Sequence, residues 1–391
     1  MNFNQKVRNF IENNARSDIH ELALKNKELG MRELKIALEQ IESRKRIKSK
    51  VPSWYENFDL ILPNSKYLEQ SSSEKTANFK SQIYQYSSSI DCTGGTGIDS
   101  AAIARNSENH LIIENNVDLA ELLKQNFSVL NLENVEIVAT DCIDYLSKTN
   151  KIFDFAYVDP SRRQAGKRVI KLNDMTPDLS TLLPILSTKA SKIMVKLSPL
   201  FDIDEILRYF KKIDYIHVVS VNNECKEILV SLNSIATKEP QIVAVELGDS
   251  KNFVISGTLN KAPSYYEMPK KYIYETNVAL VKLGKYFDYQ THFGINEIGV
   301  NTNLFTSDFF VENFAGEIYK LIAITKPNVK ELQKVLGEKP HAMLKVRNFP
   351  IKTDDLRKKL NLLEGDENKI YAVTLFDGSK KFLICKKISV D

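Results

Sequence analysis

The sequence lacks the features that mark a membrane protein, a secreted protein or a metal site. No apolar run approaches the roughly 18 residues that cross a bilayer, and the first 16 residues have neither a long apolar core nor a small-residue cleavage site. The four cysteines are far apart and form no CxxC pair, which argues against a zinc site and a disulfide scaffold. They are Cys92, Cys142, Cys225 and Cys385. We therefore expect a cytoplasmic protein that binds neither a membrane nor a metal ion.

An excess of one charge is also missing. The 54 Lys and Arg residues nearly balance the 50 Asp and Glu residues, and the formal net charge is +4. This balance permits a polyanionic partner without requiring one, so the placement of the charges matters more than their sum. A chain of 391 residues with 43% hydrophobic residues is long enough for two or three globular domains.

The pattern of the chain changes at three points and predicts four regions. Residues 1–52 read as helices, because apolar residues recur at helical spacing between charged ones. Residues 53–250 alternate strands and helices, which predicts an α/β domain with a mostly parallel sheet. Its last strands follow one another without helices, which indicates an antiparallel edge. Residues 251–316 are a connecting region rich in tyrosine and lysine, and residues 317–391 read as a small α+β domain.

The helical region ends in a basic run, "RKRIKSK", from Arg44 to Lys50. A solvated helix end and a phosphate-contacting patch both fit this run.

Glycine is scarce as well, and its distribution is uneven. Only 14 glycines occur in the chain, yet Gly94, Gly95 and Gly97 fall within four positions of "SSSIDCTGGTGIDSAAIAR". A glycine-rich turn between the first strand and helix of a parallel sheet lets a cofactor approach the backbone. A dinucleotide fingerprint is disfavoured, because its third glycine is missing and Asp99 would repel a pyrophosphate.

The stretch "DCTGGTG" resembles the first motif of class I S-adenosylmethionine-dependent methyltransferases, acidic-x-Gly-x-Gly-x-Gly, with Thr93 at the first glycine position. The resemblance implies a Rossmann-like domain with a mostly parallel seven-stranded sheet and S-adenosyl-L-methionine as the cofactor. Acidic residues end the next two strands, and the resemblance places Glu114 at the ribose hydroxyls and Asp141 near the adenine amino group. The expected cofactor-binding residues are Asp91, Thr93, Gly95, Gly97, Glu114, Asp141 and Cys142.

The fourth strand, "FDFAYVD", ends in Asp159, followed by Pro160, Ser161 and Arg162, and we take these four as the candidate catalytic residues. A D-P-P-Y motif at this place is typical of enzymes that methylate amino groups of bases. Here the aromatic residue is replaced by Arg162, whose guanidinium plane could stack on a base instead. A D-P-P-R variant belongs to enzymes that methylate C5 of uridine through a cysteine, but none of the four cysteines lies in the right place after the next strand.

A basic loop follows this motif. Arg162, Arg163, Lys167 and Arg168 are the candidate substrate-binding residues, with Lys171 nearby. We expect them to contact phosphates of a nucleic acid, although a solvated loop would have the same composition.

The arrangement resembles a bacterial family of class I methyltransferases with a helical N-terminal region, a ferredoxin-like insert and a C-terminal THUMP-like domain. The matching stretches are "LEQSSSEKTANFK", "DCTGGTG", "VDPSRR" and "KLSPLFD". The resemblance implies RNA, either tRNA or rRNA, as the substrate. Two alternatives stay open: an RNA-binding protein whose methyltransferase fold has lost turnover, and a methyltransferase of small molecules or proteins. The sequence does not indicate an oligomeric state.

Overall fold

The structure is a computed structural model that describes residues 4–162, 172–233, 239–249, 252–257, 259 and 262–388. The chain divides into two compact units. The first comprises Met1–Ile216 and Glu227–Pro240, and the second comprises His217–Lys226 and Gln241–Asp391.

The helices of the described residues are α1 (Gln5–Asn14), α2 (Ile19–Lys25), α3 (Met31–Ile47), α4 (Pro52–Glu56), α5 (Ser65–Gln70), α6 (Glu74–Gln82), α7 (Ile98–Ala104), α8 (Val117–Val129), α9 (Cys142–Lys148), α10 (Leu179–Lys189), α11 (Ile203–Tyr209), α12 (Val278–Leu283), α13 (Tyr289–Phe293), α14 (Val329–Leu336) and α15 (Thr353–Leu360). The strands are β1 (Ser88–Asp91), β2 (Asn109–Glu114), β3 (Val135–Ala139), β4 (Phe153–Val158), β5 (Ser161–Arg162), β6 (Met175–Thr176), β7 (Ala190–Leu197), β8 (Ile213–Val221), β9 (Glu224–Asn233), β10 (Gln241–Leu247), β11 (Asn252–Ser256), β12 (Tyr272–Thr276), β13 (Asn296–Glu297), β14 (Leu304–Ser307), β15 (Gly316–Thr325), β16 (Met343–Arg347), β17 (Lys369–Thr374) and β18 (Lys380–Lys387). None of these described helices is both long enough and apolar enough to cross a membrane.

Seven strands of the first, nine-stranded sheet lie wholly or partly in the first unit, in the order β8-β9-β7-β4-β1-β2-β3. Strands β7, β4, β1, β2 and β3 are parallel, whereas β9 runs antiparallel to β7. This confirms the predicted mostly parallel sheet with an antiparallel edge. The strand order reverses between β1 and β4, and ligands of open parallel sheets bind at such a reversal, outside the carboxyl ends of the strands.

The N-terminal helices pack through two apolar clusters. One joins α1 to α3 through Val7, Phe10 and Ile41, and the other contains Trp54, the single tryptophan of the chain. Arg44 is 1% exposed, and its guanidinium donates hydrogen bonds to backbone carbonyls, including that of Leu60 at 2.8 Å. The start of the basic run is therefore a buried structural element, since a buried guanidinium needs such acceptors. Arg44 is therefore neither a solvated residue of the helix end nor part of a phosphate-contacting patch.

The second unit contains a seven-stranded sheet in the order β13-β14-β12-β15-β18-β17-β16. Glu275 of β12 is buried, and its carboxylate accepts hydrogen bonds from Lys345, Arg347, Lys369 and Tyr371 at 2.6 to 3.0 Å. Burial alone would raise the pKa of Glu275, but the ammonium groups of Lys345 and Lys369 hold it at about 2. This cluster ties β12 to β16 and β17.

Candidate functional site

A cleft of about 330 Å³ opens at the carboxyl ends of β4, β1, β2 and β3. Its wall includes the glycine-rich turn after β1 and an acidic side chain at or just after the end of each strand. The predicted residues that line it are Asp91, Thr93, Gly95, Gly97, Glu114, Asp141, Cys142, Asp159 and Ser161. The topology thus brings together side chains that are up to 70 positions apart in the sequence.

The glycines of the turn serve different steric needs. A Cβ at Gly94 would lie 2.6 Å from the Ile112 side chain, so the turn must pack directly on β2. Gly95 and Gly97 have φ angles of +53° and +82°, a region that favours glycine. A Cβ at Gly97 would also lie 2.5 Å from Leu123 of α8. Gly94, which was not among the expected binding residues, is therefore needed for packing.

Gly97→Ala is expected to lower the free energy of unfolding by about 2–4 kcal/mol, because strain and a clash with Leu123 add together. Gly95→Ala is the matched control. Its φ is also positive, but its Cβ would meet nothing closer than the Thr93 carbonyl at 3.5 Å, so a loss of about 1 kcal/mol is expected. Urea unfolding followed by Trp54 fluorescence measures both. Equal losses of unfolding free energy in the two variants would contradict the steric clash between a Cβ at position 97 and Leu123.

Asp91 holds the turn together. Its Oδ1 accepts from the Thr93 N–H at 2.8 Å, and the Ser100 hydroxyl donates to its Oδ2. The carboxyl group is 1% exposed, and burial raises its pKa to about 7, with Asp99 contributing to the rise and the Ser100 and Thr93 hydrogen bonds opposing it. Both oxygens of Asp91 are thus engaged within the protein.

Thr93 connects two strand ends. Its hydroxyl donates to Asp91 Oδ1 at 3.1 Å and accepts from the backbone N–H of Asp159 at 2.7 Å. A glycine at this position could make neither bond. The departure from the expected glycine pattern therefore joins the ends of β1 and β4.

Glu114 is buried at the end of β2 and faces the turn. Its Oε2 accepts from the Gly95 N–H at 2.6 Å, and its Oε1 accepts from the Asn116 N–H at 2.8 Å. An ionised carboxylate has about four lone-pair sites. Glu114 can therefore hold the turn and still accept further hydrogen bonds from a ligand.

Asp141 and Cys142 follow β3. Asp141 is exposed and caps α9, where its Oδ1 accepts from the N–H groups of Ile143 and Asp144. Cys142 is buried, and burial raises the pKa of its thiol to about 12. Burial thus disfavours the thiolate that nucleophilic chemistry would need at Cys142.

Asp159 directly follows β4 at the other side of the cleft. Lys196, on the neighbouring strand β7, donates to Asp159 Oδ2, and the Asp159 carboxylate is 34% exposed. The Lys196 ammonium also lies 3.3 Å from the Ser72 hydroxyl and 3.7 Å from Asp99 Oδ2. Burial opposes the charge on Lys196, but the carboxylates of Asp159 and Asp99 raise its pKa above the usual value.

Asp99 connects Lys196 to a second buried lysine. Lys80 Nζ lies 3.2 Å from Asp99 Oδ1 and donates to Glu227 of β9 at 2.7 and 2.9 Å. The hydroxyls of Ser72 and Tyr157 donate to Asp99 Oδ2 at 2.7 and 2.8 Å. Burial alone would raise the pKa of Asp99, but the two lysines and two hydroxyls lower it to about 2.

We call the five charged residues the ion network; they are Lys80, Asp99, Asp159, Lys196 and Glu227. Of these, only Asp159 was expected to be functional. A weak signal existed, since Lys196 and Glu227 interrupt or flank otherwise apolar strand segments. Their partners lie far away in sequence: Lys80 and Glu227 are separated by 147 positions.

Pro160 is buried, and Ser161 is exposed at the rim, where β5 pairs antiparallel with β6. The backbone of Arg162 belongs to β5. Arg163, Lys167 and Arg168 lie outside the described residues, as does Lys171.

Three segments of the chain match known families. Residues 71–179 match a family described as conserved hypothetical protein 95, residues 272–314 a ferredoxin-like domain, and residues 316–387 a THUMP domain-like family. The chain is also similar over its whole length to a solved structure described as "Crystal structure of putative methyltransferase from Porphyromonas gingivalis W83". That match has a TM-score of 0.87 and 28% sequence identity, and covers 100% of both chains.

The chain therefore has a methyltransferase fold together with a ferredoxin-like domain and a THUMP-like domain.

The methyltransferase domain has a further relative. It is 31% identical over 114 residues to ribosomal RNA small subunit methyltransferase D of Buchnera aphidicola subsp. Acyrthosiphon pisum (strain APS). This match covers 28% of the present chain and 60% of that protein's length. The matched family segment, 71–179, contains Lys80, Asp99 and Asp159, whereas Lys196 and Glu227 lie beyond it.

Among the residues that the structure describes, no group of three or more His, Cys, Asp or Glu is placed to hold a metal ion.

Proposed function

We propose that the protein is an S-adenosylmethionine-dependent methyltransferase that acts on RNA, with an amino group of a base as the target. The observation that carries the proposal is the convergence of the glycine-rich turn, Glu114, Asp141 and Asp159 on one cleft of a methyltransferase fold. The RNA substrate is supported by the THUMP-like match and by the similarity to ribosomal RNA small subunit methyltransferase D.

The donor groups of the cleft fit the cofactor. Ribose hydroxyls are donors, and Glu114 offers carboxylate lone pairs beside the turn. Asp141 lies at the end of the next strand, where it can accept a hydrogen bond from an adenine amino group. The cofactor carries an ammonium and a sulfonium, so acidic walls attract it. Bound here, it would supply an electrophilic methyl group.

Asp159 can orient the target. A carboxylate accepts hydrogen bonds from the N–H groups of a base amino group and thereby directs the nitrogen lone pair. Lys196 donates a hydrogen bond to Asp159 Oδ2, and the backbone N–H of Asp159 donates to the Thr93 hydroxyl. These two bonds restrict the movement of the Asp159 side chain. In the transfer, an N–C bond would form as the bond between the methyl carbon and the sulfonium sulfur breaks, the neutral thioether S-adenosylhomocysteine would be left, and the nitrogen would lose one proton to the solvent.

The RNA itself needs phosphate contacts outside the cleft. We assign these to Arg162, Arg163, Lys167 and Arg168, which follow the cleft residue Ser161 in sequence. The assay below distinguishes tRNA from rRNA as the substrate, because each RNA class is supplied in a separate reaction.

The test is transfer of a labelled methyl group from S-adenosylmethionine to RNA purified from cells that lack the protein. We expect label in RNA, sensitive to RNase, and a loss of at least 100-fold in rate for Asp159→Asn, the size of effect seen when a preorganised polar group is removed. Asp214→Asn is the matched control. Asp214 pairs with Lys192 at 2.8 Å at the other end of β7 and should leave the rate unchanged.

Other outcomes favour the alternatives. Cofactor binding without transfer would indicate an RNA-binding protein with an inactive fold. Label that resists RNase would indicate a small-molecule or protein substrate. Unchanged transfer in Asp159→Asn would remove Asp159 from the assigned role.

A further inference from the structure

The ion network contains more negative than positive groups. Its carboxylates are Asp99, Asp159 and Glu227, and its ammonium groups are Lys80 and Lys196. Within this set of described residues the formal charge is therefore −1. A charge imbalance in a largely buried cluster is costly unless something compensates it.

The excess charge lies at Asp159. The Glu227 carboxylate is 4% exposed, and both its oxygens accept from Lys80. Asp99 is 11% exposed and has an ammonium group on each side. Within the network, Asp159 forms an ion pair only with Lys196. Its carboxylate is the most exposed of the three and lines the cleft. The uncompensated negative charge of the network therefore lies at the cleft.

The order of the strands indicates which part of the ligand would meet this charge. From one side of the cleft to the other, β3 is followed by Asp141, β2 ends in Glu114, β1 leads into the turn, and β4 is followed by Asp159. Neighbouring strands are about 4.8 Å apart, so the first and last positions are separated by about 14 Å. Adenine, ribose and sulfur follow one another in the cofactor in the same order. This step rests on the proposed function, which places adenine at Asp141 and ribose at Glu114.

We infer that the network makes the cleft selective for the charged form of the cofactor. The site binds the sulfonium of S-adenosylmethionine more tightly than the neutral thioether of S-adenosylhomocysteine, because only the sulfonium compensates the charge at Asp159. Glu114 and Asp141 contact the nucleoside that both ligands share, so they do not contribute to the difference. Methyl transfer removes the positive charge, and the product leaves more easily than the donor.

Calorimetry with the purified full-length chain tests this inference. The measured quantity is the ratio of the dissociation constant of S-adenosylhomocysteine to that of S-adenosylmethionine. We expect a ratio of about ten or more in the wild type, the effect of one partly screened charge. Asp159→Asn brings the network to zero charge and should lower the ratio about tenfold, mainly by weakening S-adenosylmethionine. Lys196→Met brings the network to −2 and should not lower the ratio.

Matched controls come from the ion pair at the other end of β7. Asp214→Asn and Lys192→Met change the same charges but outside the cleft, and the ratio should stay within twofold of the wild type. If Lys196→Met does not fold, Asp159→Asn decides the test alone, because Asp159 is one-third exposed and tolerates the substitution.

The outcomes separate the two proposals. If both ligands bind and Asp159→Asn leaves the ratio within twofold of the wild type, the selectivity is overturned while the proposed function stands. If neither ligand binds the wild type, the proposed function fails and the selectivity fails with it.

Discussion

Replacing Glu114 by alanine is expected to weaken S-adenosylmethionine binding about 1000-fold. Two charge-assisted hydrogen bonds to the ribose hydroxyls would be lost, each contributing about 1.5–3 kcal/mol, and about 4 kcal/mol corresponds to a factor of 1000. The substitution also removes the acceptor for the Gly95 N–H, at 2.6 Å in the intact protein, so the turn loses one of its restraints. Calorimetric titration gives the dissociation constant.

Glu121→Ala is the control for this experiment. Glu121 lies on α8 and pairs with Lys124 at 2.7 Å, and its side chain is 58% exposed. We expect its affinity to equal that of the wild type. If Glu114→Ala binds within fivefold of the wild type, Glu114 does not hold the ribose.

Replacing Lys80 by methionine is expected to lower the free energy of unfolding by about 3–5 kcal/mol. The Lys80 ammonium is fully buried and compensates Glu227 and Asp99. Its removal leaves Glu227 as a buried carboxylate without a counter-ion, which is costly because the low-dielectric interior solvates charge poorly. Urea unfolding followed by Trp54 fluorescence measures the loss, since Trp54 is buried in the same unit.

The double variant Lys80→Met with Glu227→Leu should recover most of this loss, because it removes both charges together. Lys124→Met, which breaks the exposed pair with Glu121, should change stability little. An unfolding free energy for Lys80→Met within about 1 kcal/mol of the wild type would contradict the charge compensation assigned to Lys80.

Much of the methyltransferase domain follows from local pattern. Alternating apolar strands and helices specify a parallel sheet, and the sheet brings its carboxyl ends to one edge. The glycine-rich turn and the strand-end acids Glu114, Asp141 and Asp159 could therefore be placed on one cleft from the sequence alone. Their cofactor contacts stay predictions.

The ion network could not be found in the same way. It joins α6, α7, β7, β9 and the residue that follows β4, and no local pattern relates residues at five such places. A lysine near a strand end, such as Lys196, is as common on a solvated edge as beside a buried carboxylate. Only the fold makes Asp99 and Asp159 its neighbours.

Two residues had structural roles that residue type did not reveal. Arg44 was interpreted as the first residue of the basic run, yet its guanidinium is buried and donates hydrogen bonds to backbone carbonyls. Thr93 was a departure from a glycine pattern, and its hydroxyl joins two strand ends. In both cases the decisive partner is a backbone group whose position depends on tertiary structure.

The most direct test of the cofactor site is a calorimetric titration of S-adenosylmethionine into the wild-type chain after removal of any bound nucleotide. The geometry of Glu114, Asp141 and Asp159 at the glycine-rich turn predicts saturable uptake of one ligand per chain. Absence of uptake of both S-adenosylmethionine and S-adenosylhomocysteine by folded protein would contradict it.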